Sequence, residues 1–171
     1  MRISIFGLGY VGAVSAGCLA KEGHTVIGVD TDADKVGLIN EGQSPIVEEQ
    51  IGEIIEAAVK DGQLRATQDV DFAIAETEIS LICVGTPSQA NGNLDLSHVR
   101  RVCEQIGGAL RNKSDYHVVT IRSTMLPGST REVVLPALAE HSGLEPGEKL
   151  GVCVNPEFLR EGTAVADFFD P

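Results

Sequence analysis

A glycine-rich turn set between two strands constrains this 171-residue chain more than any other feature. Arg2-Ile3-Ser4-Ile5-Phe6 is a short, isoleucine-rich strand. It breaks at Gly7-Leu8-Gly9-Tyr10-Val11-Gly12, and a helix pattern follows with Val11, Val14, Cys18 and Leu19 on one apolar face. Gly23-His24 ends the helix, and Thr25-Val26-Ile27-Gly28-Val29 is a second strand that delivers Asp30. Strand, G-x-G-x-x-G turn, helix, strand and terminal acid together make a dinucleotide-binding fingerprint. Gly7 is expected to permit the tight turn, Gly9 to let backbone approach a pyrophosphate, and Gly12 to let the helix lie close to the strand. The pyrophosphate would rest on the free N–H groups at the helix start. Asp30 stands where an acid takes ribose hydroxyls, and its charge would repel a 2′-phosphate. The cofactor is therefore read as NAD rather than NADP.

The rest of the chain carries the same alternation. Asp32 and Asp34 stand at a helix entry, followed by Lys35, Val36, Leu38 and Ile39. On its own residues Lys35 is an ordinary solvated helix lysine. Ile51, Ile54, Ile55, Ala58 and Val59 mark an amphipathic helix, Leu64–Thr67 a short strand, and Asp69 the cap of a brief helix through Ala75. Ile79–Val84 reads as a strand buried on both faces, running into Gly85-Thr86-Pro87-Ser88 and a polar loop through Asn91-Gly92-Asn93. Ligands of open α/β sheets sit beyond the carboxyl ends of the strands, so Gly85 and Thr86 stand at a ligand-facing edge. A turn with a capping threonine is the competing reading. Asp95 can cap the next helix, with Leu96, Val99, Val102, Cys103, Ile106 and Leu110 on one face and Arg100 and Arg101 pointing away into solvent. Val118–Ile121 is the next strand and ends at Arg122-Ser123-Thr124, again at the ligand edge. Ser129-Thr130-Arg131-Glu132 reads as a capping box. Leu150–Val154 is the last strand. It delivers Asn155 to Thr163, in which Glu157 and Glu161 share a side if the segment is helical. A charged surface turn is the alternative. Six strands interleaved with helices, without an internal repeat, make an α/β doubly wound parallel sheet of Rossmann type.

Bulk properties narrow the partners. A formal net charge of −12 disfavours nucleic acid and anionic membrane surfaces, and it leaves local dipoles and backbone amides to recruit an anionic cofactor. No apolar run approaches a membrane span, and no signal-peptide layout precedes the first strand, which fits a cytoplasmic location. Cys18, Cys83, Cys103 and Cys153 have no metal-ligand spacing and read as reduced, buried core cysteines; no metal is expected. The four histidines receive no role. The closing Asp167-Phe168-Phe169-Asp170-Pro171 suggests a chain cut from a longer protein, with an exposed apolar patch at the two phenylalanines.

Three segments in order carry a family resemblance: Ile5–Gly12, Cys83-Val84-Gly85-Thr86-Pro87, and Asn155-Pro156-Glu157-Phe158-Leu159-Arg160-Glu161-Gly162. Arg122-Ser123-Thr124 and Pro127-Gly128 lie between them. The whole chain resembles the N-terminal part of the nucleotide-sugar 6-dehydrogenases, the UDP-glucose and GDP-mannose dehydrogenases. Ser44-Pro45-Ile46-Val47-Glu48 and the 85–96 stretch bring it nearer the members that act on GDP-mannose in alginate-producing bacteria, with UDP-glucose the alternative. The resemblance implies oxidation of a sugar C6 alcohol to a carboxylate in two NAD-dependent steps through a cysteine thioester. It implies NAD contacts from Tyr10, Val11, Asp30, Lys35, Thr86 and Thr124. Glu161 would face the substrate, Glu157 would lie nearby, and Thr124 and Glu161 would position the catalytic water. The catalytic cysteine, the central helix and the second nucleotide-binding domain of such enzymes would follow residue 171. The parent is thus expected to be a homo-oligomer, and this chain to be an inactive, monomeric NAD-binding domain. A free-standing NAD-binding module without catalysis is the non-enzymatic alternative.

Overall fold

A computed structural model describes residues 1–90 and 92–170; the readings that fall on Asn91 and Pro171 lie outside it. Six parallel strands form one sheet: β1 (Arg2–Phe6), β2 (Thr25–Val29), β3 (Leu64–Thr67), β4 (Ile79–Ile82), β5 (His117–Ile121) and β6 (Leu150–Val154), in the order β3-β2-β1-β4-β5-β6. The helices are α1 (Tyr10–Lys21), α2 (Ala33–Asn40), α3 (Ile51–Lys60), α4 (Val70–Glu76), α5 (Ser97–Leu110), α6 (Leu135–Ser142) and α7 (Ala164–Phe169). A π-helical turn, Thr130–Val134, leads into α6. This is the doubly wound order, in which the chain reverses its direction of travel between β1 and β4 and leaves a crevice there.

The pleat explains both cores. Ile3 and Ile5 of β1 pack with Val26, Leu64, α1, α3 and α7 on one face. Phe6, Ile27, Ile82, Val119 and Ile121 pack with α4, α5 and α6 on the other. Because β1 has neighbours on both sides, with Ile5 paired to Gly28 and to Leu81, it is buried through most of its length, as a central parallel strand must be. Helix α1 is buried nearly all round from Gly12 to Ala20, rather than along the single stripe expected, because β1, α3 and α7 enclose it.

Polar groups lock the three central strands. Ser4 and Ser80, register partners on β1 and β4, share a hydrogen bond of 2.7 Å, and Ser80 meets His117 Nε2 of β5 at 2.7 Å. Thr77 donates to Ser4 at 3.1 Å or to the Ala73 carbonyl at 2.7 Å. His117 is fully buried, and burial pushes its pKa down to about 4.

Several local expectations change. Asp32 and Asp69 cap their helices as expected, but Asp95 accepts from Ser97 N at 2.9 Å, one position ahead of a true N-cap. No capping box forms at Ser129–Glu132: Ser129 is already helical in φ and ψ and makes no side-chain cap. Residues 155–160 are irregular rather than helical, so Glu157 and Glu161 do not share a helix face. Cys153 is exposed, because β6 is an edge strand, while Cys18 and Cys103 are buried and Cys83 is half-buried. The phenylalanine patch is partly closed. Phe168 packs on the α1 side of the core, and Phe169 meets it edge to face at 5.4 Å under Lys21. No helix among the described residues is long and apolar enough to cross a membrane.

Candidate functional site

The glycine turn forms because β1 ends one residue before Gly7, which takes φ +95°, a conformation costly for any side chain. A Cβ on Gly12 would stand 1.7 Å from the Gly7 carbonyl oxygen, so only glycine lets α1 start this close to the strand end. A Cβ on Gly9 would meet no atom within 4 Å. That emptiness lies at the N-terminus of α1, whose first turn carries no acidic residue. Backbone N–H groups, a favourable dipole end and room for close approach are what a pyrophosphate needs, so these residues fit a dinucleotide.

Asp30 closes the turn from the other side. Its Oδ2 accepts Leu8 N at 2.6 Å and its Oδ1 accepts Asp32 N at 2.9 Å, which fixes the carboxylate. Each oxygen keeps a lone pair for a sugar hydroxyl. Lys35 Nζ lies 4.0 Å from Asp30 Oδ2, so it belongs to the site rather than to open solvent.

Two clefts share Gly9, Cys83, Val84 and Gly85 and form one trough over the carboxyl ends of β1 and β4. The larger, about 350 Å³, is lined by Gly7, Asp30, Lys35, Gln68, His98 and Arg101 among others. The smaller, about 290 Å³, holds Tyr10, Val11, Thr86, Thr124 and Glu157, with Arg122 and Ser123. The Thr86 hydroxyl donates to the Thr124 carbonyl at 2.8 Å, tying the loops after β4 and β5 together. The Glu157 carboxylate accepts the Leu159 N–H and so shapes its own loop. Glu161 is exposed and lines neither cleft, although its charge acts on the Tyr10 phenol.

Other residues at the trough were not anticipated. His98, Arg101 and Gln105 line it from α5, and Arg101 therefore does not point away; Arg100 does, pairing with Glu104 at 3.0 Å. Their i, i+3, i+7 spacing is a polar stripe beside the apolar one, a signal the sequence offered. Glu48, outside both clefts, was not anticipated either: its carboxylate accepts the Tyr10 hydroxyl, Gly162 N at 2.7 Å and Ala164 N at 3.0 Å. Burial and then the Glu48 bond raise the Tyr10 phenol to about 12.

Three of the four thiols are poor nucleophiles. Desolvation raises Cys83 at the trough floor to about 12, Cys103 to about 12 and Cys18 to about 11.

Residues 1–171 match the NAD-binding domain of the UDP-glucose/GDP-mannose dehydrogenase family along their full length. GDP-mannose 6-dehydrogenase of Azotobacter vinelandii is 56% identical over 171 residues, which are 100% of this chain and 39% of that protein. UDP-glucose 6-dehydrogenase of Haloferax volcanii is 43% identical over the same span, again 39% of its length. A crystal structure of a ternary complex of GDP-mannose dehydrogenase from Pseudomonas aeruginosa superposes with a TM-score of 0.97 at 52% identity, covering 98% of this chain and 38% of that one. The chain thus spans about two fifths of the curated relatives it matches.

Proposed function

Because the chain belongs to the UDP-glucose/GDP-mannose dehydrogenase family, as its NAD-binding domain, we propose that the whole protein oxidises the C6 alcohol of GDP-mannose to a carboxylate in two NAD-dependent steps. The thioester cysteine, the central helix and the second domain would lie outside these 171 residues. UDP-glucose is the alternative substrate, and identity favours GDP-mannose, 56% against 43%. The same reading places the protein in the cytoplasm, as a homo-oligomer, in the synthesis of an alginate-type polysaccharide.

One observation carries the cofactor half of the proposal: a rigidly held Asp30 beside a helix N-terminus that has open space at Gly9. NAD, when bound, supplies the hydride acceptor. Asp30 would orient the adenosine ribose by accepting hydrogen bonds from its hydroxyls and would repel a 2′-phosphate. The amides of Tyr10, Val11 and Gly12 hold the pyrophosphate. Arg101, Lys35 and His98 supply donors on the larger cleft, which offsets locally the acidity of the chain. On the smaller cleft Val11, Thr86 and Thr124 flank the nicotinamide end. Alcohol oxidation needs a path for the hydroxyl proton, and Thr124 with the Glu157 and Glu161 carboxylates would hold the water that carries it.

Calorimetric titration with NADH and NADPH tests the site; NADH should bind at least about tenfold tighter, as a like-charge clash at the ribose predicts. Equal affinities would remove Asp30 from the ribose. The chain mixed with NAD and GDP-mannose should form no NADH, because the residues that complete the sugar site and supply the thioester cysteine would lie outside these 171 residues; sustained turnover would refute the incomplete-site reading. Turnover of UDP-glucose but not GDP-mannose by the whole protein would overturn the substrate assignment.

A further inference from the structure

The loop between α2 and α3 contributes no residue to either cleft, yet it is built with care. Ser44 Oγ donates to the Ile46 carbonyl at 2.8 Å or accepts Ile46 N at 3.2 Å. Ile46 packs into the α1-side core, while Val47 next to it is 99% exposed. Gln50 stands in the left-handed region at φ +66°, the only non-glycine residue to do so among those described. A non-glycine residue held there signals a backbone constrained by its surroundings. The side chain this bracing presents is Glu48.

Glu48 joins three segments distant in sequence. Its Oε2 accepts the hydroxyl of Tyr10, the first residue of α1, together with Gly162 N at 2.7 Å; its Oε1 accepts Ala164 N at 3.0 Å, the first residue of α7. The segment it holds has little structure of its own. Asn155 to Arg160 are irregular and Phe158 is 84% exposed; besides Glu48 the segment is tied by Asn155 to Arg122 and the Ile121 carbonyl, by Leu159 packing on the core, and by Arg160 to Asp167 at 2.6 Å. An ionised carboxylate shared among one hydroxyl and two amides is a strong, directional anchor.

We propose that Glu48 is a positioning residue for the cofactor site, one carboxylate that sets the Tyr10 ring at the glycine turn and, through Gly162 and Ala164, the Glu157–Glu161 segment that leads into them. The proposal rests on the reading that Tyr10 and the 157–161 segment border the bound dinucleotide. Glu48 itself lines neither cleft. It acts by fixing the distance between the two walls of the smaller cleft, so its loss widens the cleft without removing a contact. Glutamine cannot replace it: the amide offers one acceptor where two oxygens were used, and it turns N–H groups toward Gly162 N or Ala164 N.

The test compares the wild-type chain with Glu48→Gln, Tyr10→Phe and the double variant. Each is followed by NADH calorimetry, by urea unfolding, and by alkaline titration of tyrosine absorbance, in which Tyr116 is the only other signal. Glu48→Gln should weaken NADH by about tenfold, the scale of a lost charged hydrogen-bond set, while folded protein at the titration conditions stays above nine tenths. The high tyrosine titration should fall toward the ordinary phenol range. Tyr10→Phe, which keeps the ring and the two amide bonds, should lose several-fold in affinity, and the double variant should be no worse than Glu48→Gln alone. Wild-type protein that binds no NADH would overturn the cofactor-site reading and this proposal with it. Wild-type binding with unchanged affinity in Glu48→Gln, or in Tyr10→Phe if the glutamine variant unfolds, would overturn this proposal alone. So would losses that track the unfolded fraction, since those mark a merely structural link.

Discussion

Replacing Gly12 and Gly9 separately by alanine should split stability from binding. A Cβ on Gly12 would lie 1.7 Å from the Gly7 carbonyl oxygen and 2.9 Å from its carbon, both backbone atoms of a strand end. An ordinary carbon–oxygen contact is about 3.3 Å, so helix and turn must part by roughly 1.5 Å. Overpacking of that kind costs about 3 kcal/mol, and the better helix propensity of alanine returns about 1 kcal/mol. The net loss of about 2 kcal/mol corresponds to a fall of roughly 4–8 °C in Tm for a chain of this length. NADH affinity should fall as well, since the turn proposed to hold the pyrophosphate would have moved. Gly9→Ala is the opposite case. Nothing lies within 4 Å, and φ is −75°, which alanine adopts freely. The weaker N-cap costs up to about 1 kcal/mol and the stiffer unfolded chain returns about half of that or more. Stability should hardly change, but the new methyl would stand where the pyrophosphate must approach, and NADH should bind roughly tenfold more weakly or worse. Urea unfolding followed by far-UV circular dichroism gives the first quantity and calorimetry the second. Wild-type stability in Gly12→Ala, or a Gly9→Ala protein that binds NADH normally, would refute the reasoning.

Acid should weaken the fold in two separate windows. His117 has its folded pKa lowered to about 4, so the unfolded chain takes up its proton first; stability should drop by about 3 kcal/mol as pH falls from 6.5 to 4. His117→Gln should flatten urea midpoints across that range, and a slope equal to wild type would contradict the assignment. The Asp167 carboxylate, held at about 2 mainly by its Arg160 hydrogen bonds, acts lower: its stabilisation is present above the ordinary aspartate pKa and disappears as pH falls through 2. Among the four thiols Cys153 alone is exposed, so a disulfide reagent should modify one thiol quickly in the native chain, and Cys153→Ser should abolish that phase; two or more fast thiols would mean an open core. Asp30→Ala should bring NADH and NADPH affinities within about threefold of each other by weakening the first and relieving repulsion of the second; an unchanged ratio would locate discrimination elsewhere.

The fold was legible because its signals are local and repeated. The first 30 residues contain a complete βαβ unit, and the apolar runs at β4 and β5 are interior parallel strands, although in β4 burial alternates, with Ser80 and Ile82 buried and Ile79 and Leu81 only half-buried. The candidate site was open to proposal for the same reason: Gly7, Gly9, Asp30, Gly85, Thr86 and Thr124, which line the two clefts, follow strand ends in sequence. What was missed depends on tertiary neighbours. Arg101 is exposed, as its sequence suggests, but that it borders the larger cleft shows only once α5 is laid beside the crevice. Cys153 reads as buried until β6 is known to be the edge. Glu48 had no chemistry of its own, because its partners lie 38, 114 and 116 residues away. The Ser129–Glu132 pattern misled because a π-helical turn begins there and Ser129 has already entered helical backbone.

That separation between Glu48 and its partners also sets an order of events. The β1–α1–β2 unit closes through short loops, whereas Glu48 finds Gly162 and Ala164 only after β4, β5 and β6 have been laid down in turn, the slow, non-local part of a parallel sheet. The wall of the smaller cleft should therefore be the last piece of this molecule to assemble, and a refolding chain should regain its helices and its sheet before that cleft takes its finished shape.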